Sequence, residues 1–274
     1  MATQLEKAHA FKALHERPGC FVIPNPWDAG SAKLLAQMGF EALATTSAGL
    51  AFSLGRPDGA GLVSRAETLA NARAIVAATD LPVSADLEDG FGESPEAAAE
   101  TIRLAAEAGL VGGSIEDSTR EPGEPIYDIA RAAERVRAAA EAAHALPFPF
   151  LLVGRAENYL HGRPDLADTI RRLQAYQEAG ADLLYAPGLR TREEIAAVLR
   201  SVDRPVNLLM GPGGATLAEL AALGVRRVSV GGALARAALG AAMRAARELR
   251  ERGSLGVAAE APPHAELNAA FAAR

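Results

Sequence analysis

The chain reads as a (β/α)8 barrel. Three observations predict that fold. Short apolar runs alternate with longer amphipathic ones, and the alternation repeats eight times. Eight such units fit within 274 residues, and a barrel of this kind needs about 250. Residues that carry chemistry gather just after the apolar runs, where a barrel builds its active site. The other candidate, a doubly wound open sheet, usually has fewer strands, and no Gly-x-Gly-x-x-Gly turn follows the first apolar run.

A helix over Gln4 to Glu16 precedes the first strand. The strand candidates are then Cys20–Ile23, Ala42–Thr45, Val83–Asp86, Gly113–Glu116, Phe150–Val153, Asp182–Tyr185, Val206–Leu209 and Arg227–Val230. Helix-start signals recur between them, such as Ser94-Pro95-Glu96 and Thr191-Arg192-Glu193-Glu194. Met38-Gly39, Ala108-Gly109, Ala179-Gly180 and Leu223-Gly224 mark helix ends, because glycine accepts the left-handed residue that closes a helix. A long helix, Leu234 to Glu251, follows the eighth strand. The tail from Gly253 to Arg274 is too apolar for a free solvated end and is expected to pack on the body or on a partner subunit. No long linker divides the chain, so residues 1–274 read as one domain.

Composition narrows the function classes. The net charge is −6, with no basic stripe bearing interleaved aromatics, which argues against nucleic acid. No apolar run reaches the roughly 18–20 residues of a membrane span. Met1 to Lys7 carries charges of both signs and no apolar signal core. The single cysteine, Cys20, excludes an internal disulfide and reads as a small core residue. These features predict a soluble, cytoplasmic protein.

The strongest local signal is Ser84-Ala85-Asp86-Leu87-Glu88-Asp89-Gly90. An apolar strand ends in three carboxylates within four residues, which repel one another and are costly to desolvate. A hard cation, Mg2+ or Mn2+, resolves the conflict. Asp86 and Glu88 stand at i and i+2, one face of an extended strand. Asp58 follows the second strand, Glu116 and Asp117 the fourth, and Arg155, Glu157 and His161 the fifth. The set fits a carboxylate-held metal and an anionic substrate gripped by Arg155. Backbone N–H groups of Ser47, Ala48 and Gly49 are available to a carboxylate or oxyanion. Asn207, on the seventh strand, is a further substrate-binding candidate. Plain readings compete: Asp28 as a helix cap, Asp117 as a cap or solvated acid, Arg155 with Glu157 as a rim ion pair, and His9, His15, His144 and His264 as surface residues.

Asp86-Leu87-Glu88-Asp89-Gly90-Phe91-Gly92 resembles the Asp-x-Asp-x-Gly-Phe/Tyr-Gly signature of the isocitrate lyase/phosphoenolpyruvate mutase superfamily. Asn25-Pro26-Trp27-Asp28-Ala29-Gly30-Ser31-Ala32 resembles the opening motif of its phosphonomutase-like branch. Thr46–Leu50, Gly55–Asp58, Ile115–Asp117, Gly154–Glu157 and Asp182–Gly188 follow in the family's order, so the resemblance covers nearly the whole chain. It implies a barrel whose last helix, within residues 234–274, swaps between subunits of a homodimer or homotetramer. It also implies an essential Mg2+ or Mn2+. Asp86 is then the direct ligand, and Asp58, Glu88 and Glu116 hold the metal's waters. Arg155, Ser47, Ala48 and Gly49 bind the substrate, and the chemistry runs through the enolate of an α-keto acid.

Departures from the family pattern limit the activity. The loop after the fourth strand, Ser118 to Tyr127, lacks the Lys-Lys/Arg-Cys-Gly-His motif of isocitrate and methylisocitrate lyases. Pro187 stands where those lyases place a glutamate, no asparagine-bearing gating loop of a phosphonomutase is present, and Glu88 replaces the motif's second aspartate. The expected function is a Mg2+-dependent lyase cleaving a C–C bond of a small α-keto or α-hydroxy acid, with Tyr127, Glu157, His161 or water as acid/base. P–C cleavage, or decarboxylation or hydrolysis of an oxaloacetate-like acid, is the alternative on the same site. A non-catalytic α-keto-acid binder is the alternative of another class.

Overall fold

The computed structural model describes residues 2–119, 121 and 123–272. Arg120 and Pro122 of the fourth loop, and Ala273 and Arg274 of the tail, lie outside the described residues. Eight parallel strands form one sheet in the order β1-β8-β7-β6-β5-β4-β3-β2. They are β1 (Phe21–Ile23), β2 (Leu43–Ala44), β3 (Val83–Asp86), β4 (Gly112–Glu116), β5 (Leu151–Arg155), β6 (Leu183–Tyr185), β7 (Val206–Leu209) and β8 (Arg227–Ser229). The Ala44 N–H donates to the Pro24 carbonyl at 3.0 Å and the Asn25 amide to the Thr45 carbonyl, also at 3.0 Å, so the β1 and β2 edges meet. The fold is the (β/α)8 barrel that the strand count predicts.

Eleven helices occur among the described residues: α1 (Gln4–Glu16), α2 (Ala29–Gln37), α3 (Ser47–Ser53), α4 (Arg65–Ala77), α5 (Pro95–Glu107), α6 (Ile129–His144), α7 (Leu166–Glu178), α8 (Arg192–Ser201), α9 (Leu217–Leu223), α10 (Ala233–Arg252) and α11 (His264–Ala272). Their ends follow the sequence signals. Ser94 caps α5 ahead of Pro95, Thr191 and Glu194 close a capping box on α8, and Asp28 caps α2 by accepting from the Ser31 N–H at 2.7 Å.

Apolar side chains segregate into two layers. The larger core lies between the strands and the surrounding helices. A smaller one fills the barrel interior, where Phe11 and Leu14 of α1 plug the lower end against Phe21, Val111, Leu151 and Leu183. A Cβ on Gly112 would stand 2.9 Å from the Phe11 ring and 2.9 Å from the Leu151 carbonyl oxygen, so only glycine admits the plug. His15, expected at the surface, is buried in this layer with its ring edge-on to Phe11 and Phe21. It lies on the inner face of α1, and burial with nearby Arg227 pushes its pKa down to about 3.

The C-terminal segment behaves differently. Along α10 only Ala235 is buried, and the helix packs mainly on the short 3-10 turn Gly256–Glu260 that follows it. Leu239, Met243 and Leu249 stay exposed. The tail then returns to the body. Lys33 and Gln37 of α2 donate to the carbonyls of Phe271 and Ala270, at 3.2 and 2.5 Å. No described helix is long and apolar enough to cross a membrane.

Candidate active site

The C-terminal ends of β2 to β5 bring the acidic residues together around Arg155. The guanidinium reaches Glu157 Oε1 through Nε at 2.5 Å, and through Nη1 it reaches Glu116 Oε2 at 3.1 Å and Asp86 Oδ1 at 3.3 Å. Burial opposes its charge, but Glu157, Glu116 and Asp86 outweigh that and hold it firmly protonated. The acids are crowded in turn. Burial raises the Glu116 carboxyl well above its ordinary range; Arg155 opposes the shift, while Glu157 and Asp86 add to it. Burial also raises Glu157, against the pull of Arg155, and it raises Asp58 together with repulsion from Asp86. Several carboxylates thus compete for one arginine.

Asp86 is held by its surroundings. Its Oδ2 accepts from the Ser47 N–H at 3.3 Å and its Oδ1 from the Glu88 N–H at 3.2 Å. Glu88 reaches its place by a route the strand rule did not anticipate. β3 ends at Asp86, and Glu88 sits beyond it at φ +47°, a left-handed turn that a non-glycine residue adopts at a cost of ~1–3 kcal/mol. Alternation along a strand therefore does not explain the pairing; a strained turn does. Arg135 braces that turn from below, donating to the carbonyls of Asp89 and Gly92.

Two adjoining cavities open here. One, of about 200 Å3, descends into the barrel between Ser47, Asp86, Arg155, Tyr185, Asn207 and Arg227. The other, of about 220 Å3, lies over Asp58, Glu88, Glu116, Glu157, Ser118 and His161. Ser47, Asp58, Arg155 and Leu160 line both. The donor set is all oxygen, which fits a hard divalent cation, and burial followed by repulsion from neighbouring acids raises Asp58 and Glu116. Among the described residues no group of three or more His, Cys, Asp or Glu side chains is drawn together closely enough to hold a metal ion by itself. Mg2+ is usually held by one or two carboxylates and keeps several waters.

The family model described as phosphoenolpyruvate phosphomutase matches residues 11–250. The chain belongs to the isocitrate lyase/phosphoenolpyruvate mutase superfamily. A crystal structure of a candidate lyase/mutase from Burkholderia cenocepacia is 61% identical, superposes with a TM-score of 0.95 and covers 98% of this chain and 97% of its own. The uncharacterised protein Rv1998c of Mycobacterium tuberculosis is 36% identical over 95% of both chains. An oxaloacetate decarboxylase of Chromohalobacter salexigens is 31% identical over 92% of this chain and 88% of its own. Other superfamily relatives are a 2,3-dimethylmalate lyase, an oxaloacetate acetylhydrolase and a phosphonopyruvate hydrolase. The hydrolase was solved with oxalate and Mg2+; it is 26% identical, with a TM-score of 0.86 over 99% of this chain and 95% of its own.

In this superfamily member several candidate residues occupy unexpected places. Ser47-Ala48-Gly49 is the first turn of α3. Its Ser47 N–H is taken by Asp86 and its Gly49 N–H by Thr46 Oγ1, while Ala48 lines the deep cavity. Gly49 is buried; a Cβ there would stand 2.7 Å from Trp27 Cβ, so its smallness serves packing. Tyr127 is buried away from both cavities, with Arg131 and Arg135 at 5.0 and 4.7 Å from its ring centre. His161 lies over the acidic cavity, its Nε2 3.3 Å from Ser118 Oγ.

Asp117 is neither a cap nor solvated. It is buried and accepts from Tyr176 at 2.5 Å, from the Glu157 N–H at 2.8 Å and from Arg172 Nη1 at 2.9 Å. Breaking a buried pair strands its partner's charge, so Asp117→Ala is expected to lower stability by about 3–5 kcal/mol. Urea titration followed by circular dichroism checks this; a loss below ~1 kcal/mol would contradict the assigned role.

Tyr185 and Arg227 escaped the sequence reading. Both sit on regular strands, Tyr185 after two leucines and Arg227 beside Arg226, with which it reads as a surface pair. The available signal was register, since every second residue of a barrel strand points inward.

Proposed function

We propose that the protein is a Mg2+-dependent carbon–carbon lyase acting on a small α-keto or α-hydroxy carboxylic acid. The observation that carries this reading is the half-buried Arg155, held by Asp86, Glu116 and Glu157 on the wall shared by two small adjoining cavities. Ligand pockets commonly run from about 300 to 1,000 Å3, and cavities of about 200 and 220 Å3 place this site at the small end of that range, so a compact acid is favoured. Asp86 is the residue to ligate Mg2+ directly, with Asp58, Glu88 and Glu116 holding its waters. Bound Mg2+ supplies positive charge where the 2-oxygen of the substrate becomes negative.

The remaining work falls to the chain itself. Arg155 orients the substrate carboxylate by its planar fork. Glu157 keeps that fork in place through Nε. Leu160, shared by both cavities, helps to limit water. Tyr185 offers a phenol whose pKa burial raises to about 12, so it remains a proton donor in the cavity. His161 stands on the loop above as the second candidate for proton transfer.

The exposed apolar side of α10 supports an obligate homo-oligomer in which that helix packs on a second copy. A stable monomer in light scattering would contradict this.

The test of activity is a panel of oxaloacetate, 2,3-dimethylmalate, 2-methylisocitrate, isocitrate and phosphonopyruvate, each with Mg2+ and with EDTA. Keto acid released with Mg2+ and absent in EDTA is expected for at least one C–C substrate. Phosphate release from phosphonopyruvate alone would move the reading to P–C cleavage. Tight binding without turnover would make the protein a binder.

A further inference from the structure

A second arginine lies deeper in the same cavity. Arg227, the first residue of β8, points into the barrel, is buried, and lines the cavity together with Arg155. Its hydrogen-bond partners are neutral. Nε donates to Asn207 Oδ1 at 2.9 Å, and Nη1 lies 3.4 Å from His15 Nε2. His15 Nδ1 is 2.7 Å from the Phe11 carbonyl, which places its proton on Nδ1 and leaves Nε2 to accept from Arg227. Asn207, expected to bind substrate, has its amide ends engaged, since its Nδ2 donates to Ser229 at 3.0 Å. Asn207 lines the cavity as well, and through Oδ1 it positions Arg227.

No carboxylate forms an ion pair with Arg227 among the described residues, and its second terminal nitrogen bonds to no group there. Tyr185 does not compensate, because its phenol stays neutral. A buried cation in contact with neutral dipoles alone is costly, and burial accordingly depresses its pKa to about 10. The site is also rigid. Asn207 and Ser229 share the β7–β8 register in which Asn207 faces Arg227, and His15 closes the floor from α1. The unmatched charge faces the space left beside Arg155.

We propose that Arg227 anchors a second anionic group of the substrate, so that the cavity selects an α-oxo acid bearing a further carboxylate or phosphonate over a mono-anionic one. This rests on the α-keto-acid reading above. It also accounts for Pro187 in place of the family lyases' glutamate, since the distal group is held from the barrel floor and not from the β6 loop.

Titration calorimetry tests the idea with three ligands, pyruvate, 3,3-difluorooxaloacetate and phosphonopyruvate, in EDTA and, for the first two, also with Mg2+. Arg227→Gln is expected to weaken the better dianion by about 30-fold or more and pyruvate by less than about threefold. Arg227→Lys is expected to restore part of the loss. Asn207→Asp supplies an internal counter-ion in nearly the native shape and is expected to produce the same selective loss, which covers the case of an unstable Arg227→Gln. The dianion that loses more identifies the second group as carboxylate or phosphonate. Equal losses for pyruvate and both dianions would reduce Arg227 to a structural residue, and no loss would place the second group elsewhere; either overturns the proposal while leaving the α-keto-acid reading intact. Failure of all three ligands to bind the wild-type protein, with or without Mg2+, overturns both.

Discussion

Asp86→Ala is expected to abolish turnover while leaving the barrel folded. The substitution removes the carboxylate assigned to ligate Mg2+ directly, and a metal that offsets charge on a reacting oxygen contributes several kcal/mol to the barrier. At 1.36 kcal/mol per tenfold, the expected loss in kcat/KM is about a thousandfold or more. Stability should move far less. Asp86 attracts Arg155 but repels Asp58, Glu116 and Glu157, so its removal relieves as well as costs. Arg155 keeps Glu116 and Glu157. The measurement pairs steady-state kinetics with Mg2+ titration calorimetry and a thermal melt. Activity surviving at wild-type level in a well-folded Asp86→Ala protein would remove the metal site from the reaction.

Arg155→Met is expected to damage stability and activity together, with a pH dependence that identifies the cause. Removing the guanidinium leaves Asp86, Glu116 and Glu157 without their shared counter-ion, and stranding buried charge of this kind costs about 3–5 kcal/mol. The sign follows from linkage. Glu116 and Glu157 already have raised pKa values in the folded state, and loss of Arg155 raises them further. A carboxyl with a raised folded pKa binds its proton more tightly in the folded than in the unfolded protein. Its ionisation therefore destabilises the fold progressively as pH rises from the unfolded carboxylate value through the folded one. The melting-temperature gap between Arg155→Met and wild type should thus narrow on acidification and widen toward neutrality. Arg155→Lys should keep much of the stability, yet lose about a hundredfold or more in kcat/KM, because an ammonium cannot replace the planar fork. A pH-independent gap would mean that the acids are not charged against Arg155.

The barrel was legible because its signals are local and repeated. Each helix must end, and Gly39, Gly109, Gly180 and Gly224 end theirs in left-handed conformations that favour glycine. Each strand run is short and apolar because it is buried on both faces. The acidic half of the site was legible for a related reason: carboxylates at the ends of buried strands violate the ordinary segregation of charge and so stand out.

What the sequence by itself determined was the (β/α)8 architecture, the family motifs and the carboxylates gathered around Arg155. Only the tertiary structure decided which of those side chains meet a cavity. Asp117 turned inward to Arg172 and Tyr176, Tyr127 went beneath Arg135, and Glu88 reached the site by a left-handed turn. It also disclosed Arg227 beneath the site, uncompensated and held by His15, which is far away in sequence. The physical reason is that local pattern sets which elements form, whereas the partner of a buried charge depends on register and packing between elements distant in the chain.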